Sequence, residues 1–429
     1  MADKRPKEEL SLWYLSRTYD QLREAERHSA VFKYPESVIC SYESIEFSLK
    51  ALCKILGIEY KPEHFLNAET LAKLAENIGQ KQPDKKAELL GMLPIILSYT
   101  EEQRNICRYG IDKPGVPTIS PNRIFRKDHS KAVLDNAKWL CDLLHDVDMN
   151  NRWSKTQPVR FGILNGYVQG SSDEKPCTEY VWTTSKANFW KDFFASIKTV
   201  EGGQKYAVGE INGCEISNEF AVILNPFGEV YSEYSLKDKQ VYSMIKAYIE
   251  DGGVFVNTAG FPFFYAWDVH IGPPKQPISE ERMLLPKDIE ISGGTVTVKN
   301  LQLLLQFTGT LFYREFGAVT TYDVESHNGA MPEKIYQKAD DKRQFGDLIG
   351  DINEIGEFRA VREETKNYVP LIRASCGKFG EVYPIAALSH GRGYLIVGGM
   401  GMASETEFQL FAKAVDGFCS WMSSRYPYS

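Results

Sequence analysis

Two arginines near the end of a helical segment are the clearest candidates for chemistry in this sequence. Arg104 and Arg108 are four residues apart, so a helix places them one turn apart on the same face. Guanidinium groups at that spacing repel each other unless an anion or carboxylates lie between them. Three interpretations remain open. Glu101, Glu43 or Glu46 neutralises the pair inside a bundle, the pair binds a phosphate or nucleotide, or it lies on a solvated face.

A second group of candidates follows segments that are predicted to be strands. Open α/β sheets bind ligands at the carboxyl ends of their strands, so polar residues at that position are candidates for lining a ligand site. An Asn-Pro turn and a densely aromatic core would explain the same residues without a ligand. The candidates at such positions are Asn225, Gly228, Glu229, Asp268 and His270.

The other polar residues considered are predicted to have structural roles. His390 lies in the glycine-flanked turn His390-Gly-Arg-Gly393, and His129 is expected at the surface near a helix terminus. The eight cysteines are scattered without a C-x-x-C pair, which is typical of reduced, buried thiols. The sequence therefore predicts no disulfide, no metal site and no cofactor.

The elements that position the arginines are helical from Leu10 to about residue 149. Apolar positions recur every three or four residues, and one helix has Pro35 in its first turn and ends at Gly57. The other predicted helices cover 8–33, 68–79, 86–110 and 128–148. Five helices predict a bundle over residues 1–149. The polar segment 150–158 is the predicted linker.

Beyond the linker, short apolar runs alternate with helical segments. This pattern predicts βαβ units and hence a flavodoxin-like, doubly wound parallel sheet over residues 159–425. Residues from about 268 to 345 fit the pattern poorly and are interpreted as an insertion with a β-like run at Ile289–Val298. The predicted strands are Arg160–Leu164, Phe220–Leu224, Val254–Asn257, Tyr368–Ile372, Tyr383–Ser389 and Tyr394–Gly398. The predicted helices are Ala187–Ile197, Lys237–Glu250 and Glu405–Ser423.

The helical part resembles the HEPN superfamily, helical bundles of prokaryotic toxin and defence systems. Ser41-Tyr-Glu-Ser-Ile-Glu-Phe-Ser-Leu-Lys-Ala51 on one helix, paired with Arg104-Asn-x-x-Arg-Tyr on another, carries this resemblance. It implies a homodimer across the polar face and a nucleotide or RNA site that includes Arg104, Asn105, Arg108 and Tyr109. HEPN ribonucleases have histidine where Tyr109 stands. Tyrosine, with a pKa of about 10, transfers protons poorly at neutral pH, so the resemblance implies binding without cleavage.

The second part resembles class I glutamine-amidotransferase-like domains, especially the ThuA-like branch. The residues that carry this resemblance are Phe220-Ala-Val-Ile-Leu-Asn-Pro-Phe-Gly228 and Gly252-Gly-Val-Phe-Val-Asn-Thr-Ala-Gly-Phe261. In this family a tight turn presents a cysteine nucleophile, usually as Gly-x-Cys-x-Gly. Aligning the closing glycine with Gly260 places Thr258 at the nucleophile position. The resemblance therefore implies a domain that does not hydrolyse glutamine.

Composition limits the classes of partner. The formal net charge is -7, and the first 150 residues hold nearly equal numbers of acidic and basic side chains, so any nucleic-acid contact must be a local patch. The start of the chain does not have the pattern of a signal peptide, and no run approaches the ~20 apolar residues of a membrane span. These features predict a cytoplasmic protein without a membrane partner.

Together these features favour a non-catalytic nucleotide- or RNA-binding and sensing protein of a prokaryotic stress or defence system. In this hypothesis the HEPN-like bundle dimerises, and the amidotransferase-like domain recognises a ligand or a partner protein. One alternative is a metal-independent endoribonuclease with Tyr109 in its site, controlled by the second domain. The other alternative is a scaffold subunit of an assembly.

Overall fold

In a computed structural model, the chain forms two compact units, Met1–Asn151 and Arg152–Pro427. The structure describes residues 7–60, 66–98, 101–112, 114–115, 117–153, 157–164, 187–211, 215–228, 230–234, 240–259, 262–263, 265–268, 289–292, 295–298, 303–306, 316–318, 336–338, 360–376, 380–398 and 405–426. Within these ranges, no helix is both long enough and apolar enough to cross a bilayer.

The first unit is helical, as predicted. Its helices are α1 (Lys7–Ala30), α2 (Tyr34–Ile55), α3 (Ala68–Lys81), α4 (Pro83–Ser98), α5 (Glu101–Tyr109), α6 (Pro121–Ile124) and α7 (Lys127–Arg152). One helix was predicted over 86–110, where the structure gives α4 and α5, and residues 99 and 100 between them lie outside the described residues. Thr100-Glu-Glu-Gln103 has the pattern of a capping box, which favours a new helix start. The end predicted for the last helix was also too early, since α7 continues into the predicted linker.

Small polar side chains let α1 and α2 approach closely. Ser37 donates a hydrogen bond to the Ala25 carbonyl at 2.9 Å, and Ser44 donates one to the Thr18 carbonyl at 3.0 Å. The buried Cys141 of α7 lies 3.3 Å from the Ser44 hydroxyl. Hydroxyl groups bonded to backbone carbonyls satisfy their own polarity, so Ser37 and Ser44 can be buried where α1 and α2 meet.

The turn between α1 and α2 holds a strained residue. Phe32 has a φ of 61°, in the left-handed region that favours glycine, and 74% of its surface is exposed. The Phe32 amide donates to the Ser29 carbonyl, and the Lys33 amide donates to the His28 carbonyl at 2.9 Å. These bonds form a Schellman-type helix end, in which glycine usually occupies the position of Phe32.

Phe32→Gly is therefore expected to stabilise the helical unit by about 1 kcal/mol, because glycine adopts this conformation without a Cβ clash. Thermal unfolding would measure the effect. Phe32→Ala is the matched control, since alanine removes the ring but keeps the Cβ. A glycine variant no more stable than the alanine variant would show that the backbone stores no strain here.

The second unit contains a mixed sheet. Its strands are β1 (Val159–Leu164), β2 (Tyr206–Ile211), β3 (Val222–Asn225), β5 (Val254–Asn257), β10 (Tyr336–Lys338), β11 (Val361–Arg362), β12 (Tyr368–Cys376), β13 (Gly380–His390) and β14 (Gly393–Gly398). The order is β10-β12-β13-β14-β5-β3-β1-β2, and β11 pairs with β13. The helices described in this unit are α8 (Ala187–Ser196), α9 (Gln240–Glu250) and α10 (Glu405–Arg425).

Only half of this sheet is parallel, which corrects the prediction of a parallel sheet throughout. Pairing is parallel from β2 through β1, β3 and β5 to β14, and antiparallel among β10, β12, β13 and β14. The connections β12–β13 and β13–β14 are short, and short connections can join only antiparallel neighbours. All six predicted strands are confirmed as strands, with ends that differ by a few residues.

A second, five-stranded sheet has the order β4-β6-β9-β8-β7. Its strands are β4 (Val230–Glu233), β6 (Tyr265–Asp268), β7 (Ile289–Ser292), β8 (Thr295–Val298) and β9 (Leu303–Gln306). The predicted β-like run Ile289–Val298 is the antiparallel hairpin of β7 and β8. Most of the predicted insertion lies outside the described residues, and its strand β10 belongs to the larger sheet.

Candidate functional site

The end of α5 presents polar and aromatic side chains to solvent. Asn105 and Arg108 are exposed, and 72% of the Tyr109 surface is accessible. Arg104 lies on the same helix, and its side chain is outside the described part of the structure. An exposed tyrosine and an exposed arginine at the end of the same helix offer a ring face for stacking and a guanidinium for a phosphate.

Arg108 is only loosely engaged by a carboxylate. Its Nη2 atom lies 3.6 Å from Oε1 of Glu43 on α2, which is ion-pair distance but longer than a good hydrogen bond. The Glu43 side chain is 18% exposed and that of Arg108 is 42% exposed. Glu46 instead binds Lys50, with 2.5 Å between Oε1 and Nζ. A half-exposed pair of this kind contributes little stability, so Arg108 can still interact with an external anion.

The carboxyl ends of β3 and β5 are joined by two buried asparagines. Asn225 and Asn257 are register partners, and both are fully buried. The Asn225 amide nitrogen donates to the Asn257 side-chain oxygen at 3.1 Å and to the Gly228 carbonyl at 3.2 Å. The Asn225 side-chain oxygen accepts from the Phe227 amide, and the Asn257 amide nitrogen donates to the Ala259 carbonyl at 2.9 Å. These bonds hold the turns that follow both strands.

Thr258, which the resemblance predicts at the nucleophile position, is buried with no exposed surface. Its amide donates to the Asn225 carbonyl at 3.3 Å, whereas its hydroxyl has no hydrogen-bond partner among the described residues. A hydroxyl becomes a nucleophile only when a base accepts its proton and substrate can reach it. Neither condition is met at Thr258 in the described structure.

Elsewhere in the second unit, a buried carboxylate binds the start of a helix. Glu233, at the end of β4, accepts hydrogen bonds from the Val241 amide at 2.9 Å and the Tyr242 amide at 3.1 Å. These amides belong to the first turn of α9, where the helix dipole favours negative charge. Glu233 and Asn257 were not among the residues singled out from the sequence. Like Asn225, Asn257 is a polar residue at the end of an apolar run, and this pattern in the sequence could have identified it.

Of the remaining candidates, Gly228 contacts the asparagine pair, and the others are described only in part or not at all. Gly228 has a φ of 66°, and a Cβ there would lie 3.2 Å from the Ala259 side chain. Both the backbone conformation and the short distance to Ala259 favour glycine at this position. Asp268 ends β6 opposite Glu233 in parallel register, although its side chain is not described. Glu229 and His270 lie outside the described residues.

The two histidines for which the sequence favoured structural roles, His390 and His129, both contact neighbouring side chains. His390 contacts Glu250 of α9, with 3.1 Å between Nε2 and Oε1, and a Cβ on the next residue, Gly391, would approach the Glu250 backbone to 2.6 Å. His129 is exposed in the first turn of α7 and packs edge-on against Phe125. Partial burial lowers the pKa of His129. The turn at His390 thus packs against the end of α9.

The described thiols are poor nucleophiles. Burial raises the pKa of Cys40 to about 11, and that of Cys53, Cys107 and Cys419 to about 12. These four and Cys141 are free thiols. Because the thiolate is the reactive form, cysteines held protonated in this way are inert at neutral pH. Cys177 and Cys214 lie outside the described residues.

No protein-family model matches the chain, and the comparison with curated proteins also gave no match. Among solved structures, the chain is similar to a β-galactosidase from Rahnella sp. R3 at 11% identity and a TM-score of 0.31, covering 72% of this chain and 38% of that one. It is also similar to the GH42 β-galactosidase Gan42B from G. stearothermophilus at 11% identity and a TM-score of 0.28, covering 67% and 33%. The chain thus spans only about a third of the length of these enzymes.

Proposed function

We propose that this protein is a non-catalytic binding and sensing protein of a prokaryotic stress or defence system. Its HEPN-like helical unit self-associates and binds RNA or a nucleotide through Arg104, Asn105, Arg108 and Tyr109. Its flavodoxin-like, amidotransferase-like unit recognises a ligand or a partner protein. The proposal assigns no chemical step to either unit.

The observation that carries the proposal is the exposure of Asn105, Arg108 and Tyr109 at the end of α5. The Tyr109 ring is open to a ligand, with 72% of the residue surface accessible, and the guanidinium of the preceding residue, Arg108, lies 3.6 Å from its carboxylate partner. Nucleotides combine the two features that such a surface suits, a planar base for stacking and a phosphate for a cation.

Two features of the second unit support its non-catalytic role. The strand order β2-β1-β3-β5-β14 is compatible with a flavodoxin-like arrangement, in which the turn after β5 would present a nucleophile. That position holds Thr258, which is buried and whose hydroxyl has no described base beside it. The asparagine pair next to it serves the turns themselves.

Changing Arg104 and Arg108 together to Gln is expected to lower the affinity for a labelled single-stranded RNA by more than tenfold, because each guanidinium supplies a charge-assisted contact to phosphate. The thermal midpoint should change little, because the Arg108–Glu43 pair is long and half-exposed. Fluorescence anisotropy of the full chain at several salt concentrations would measure the affinity.

Arg27→Gln is the matched control, because Arg27 is also exposed on a helix and also pairs with a glutamate, Glu24. It should leave the affinity unchanged. Wild-type protein without salt-dependent binding to RNA, ATP or GTP would contradict the proposal. A strongly destabilised double variant would instead assign the arginines to the internal stability of the bundle.

A further inference from the structure

An aromatic surface lies across α1 and α2 in the helical unit. Trp13 and Tyr14 of α1 and Phe47 of α2 form a cluster with centroid distances of 5.1, 5.6 and 6.1 Å. Trp13 and Phe47 meet edge to face, and 38% of the Trp13 surface is exposed. We call Trp13, Tyr14, Arg17 and Phe47 the aromatic strip.

Arg17 is the charged member of the strip, and its guanidinium is not neutralised by the described part of the chain. The guanidinium carbon lies 5.7 Å from the centroid of the Phe47 ring, in cation–π geometry. Its Nε atom is shielded from solvent and has no hydrogen-bond partner, and no described carboxylate forms an ion pair with it. An anion bound at the terminal nitrogens of Arg17 would supply the counter-charge that the described carboxylates do not.

The strip adjoins the α5 site through one face of α2. Phe47 lies one turn after Glu43, the residue that faces Arg108 of α5. The acidic residue between them does not oppose an anion, because Glu46 pairs with Lys50, whose Nζ also lies 5.9 Å from the Tyr14 ring. Glu43 and Phe47 therefore lie on neighbouring turns of α2. Glu43 faces Arg108 of α5, and Phe47 contacts Arg17 of α1.

We propose that the aromatic strip is a second nucleotide subsite, so that the helical unit binds a single-stranded nucleic acid across α5, α2 and α1. The inference rests on the proposed function, and it names the ligand as a strand rather than a mononucleotide. The Arg17 guanidinium binds a backbone phosphate, and the exposed Trp13 ring stacks on an unpaired base. Base-paired strands hide the base faces that this stacking needs, so a duplex binds less tightly.

The test compares short and long strands on the full-length protein. Trp13→Leu keeps an apolar side chain in the strip but removes the indole face, and Arg17→Gln removes the charge. Each is expected to lower the affinity for a single-stranded RNA of about 12 nucleotides by about tenfold, and to leave that for a dinucleotide unchanged. Trp139→Leu on α7 is the matched control and should alter neither affinity, since the Trp139 indole already donates to Glu88.

The outcomes separate this inference from the function on which it rests. If the wild-type protein binds strands of all lengths with equal affinity, or if both variants bind the long strand normally, the second subsite does not exist and the α5 site remains. If the wild-type protein binds no RNA, this inference fails, and the proposed function fails with it only if ATP and GTP also do not bind. If Trp13→Leu changes only the sedimentation of the protein, the strip is a self-association surface and the inference is overturned. Arg17→Gln keeps the test decisive should Trp13→Leu impair folding, because no described partner depends on Arg17 for charge balance.

Discussion

Asn225→Asp is expected to destabilise the second unit by about 3–5 kcal/mol, one of the two largest effects anticipated for this chain. The side-chain nitrogen of Asn225 donates to two acceptors, the Gly228 carbonyl and the Asn257 side-chain oxygen. Aspartate would place a carboxylate oxygen against both acceptors in a position without solvent access. The lost donor and the buried charge both oppose folding.

Urea unfolding followed by circular dichroism would measure the change, and Asn122→Asp is the matched control. Asn122 is exposed on α6, so the same substitution there should alter stability by no more than about 0.5 kcal/mol. An Asn225→Asp variant as stable as wild type would mean that the amide is not needed by the turns. That result would favour the ligand-lining role that the sequence suggested for Asn225.

Local periodicity was enough to predict most of the helices. The apolar stripe of α2, with Pro35 at its start, predicted its extent closely, since both signals lie within the helix itself. One helix was predicted where the structure gives α4 and α5, because apolar residues continue through 93–97 of the sequence. Tyr206–Ile211 was also missed, because this edge strand alternates irregularly and contains a glycine.

The site was less accessible to sequence reasoning, because its contacts depend on long-range pairing. Proximity of Arg108 to Glu43 was one of the alternatives that helix spacing suggested, and the ion pair is present in the structure. Nothing local shows that Asn257 meets Asn225, since the two are brought together by the parallel register of β3 and β5. Arg17 stacks on Phe47 for a similar reason, because only the packing of α1 on α2 makes them neighbours.

Glu233 is the second position where a single substitution is expected to have a large effect. Glu233→Ala leaves the Val241 and Tyr242 amides without their acceptors at the buried start of α9. Hydrogen bonds to a charged group contribute about 1.5–3 kcal/mol each, so the expected loss of the two bonds is about 3–6 kcal/mol. Glu233→Gln should be intermediate, since its carbonyl can accept from one amide but its nitrogen faces the other and no charge remains to interact with the helix dipole.

Chemical unfolding of both Glu233 variants would give the free energies, and hydrogen exchange at Val241 and Tyr242 would show whether the loss is local to α9. Glu219→Gln is the matched control: Glu219 is exposed and pairs with Arg160 at 3.0 Å, a contact that is worth little in solvent. Exchange at the two amides should become faster in Glu233→Ala and stay unchanged in the control. If both Glu233 variants unfold like wild type, water can replace the carboxylate, and the start of α9 is more accessible than its burial indicates. If Glu233→Gln lowers the free energy of unfolding as much as Glu233→Ala does, the charge of Glu233 stabilises the helix start more than the number of its acceptor atoms. The interaction of that charge with the dipole of α9 would then be the dominant one.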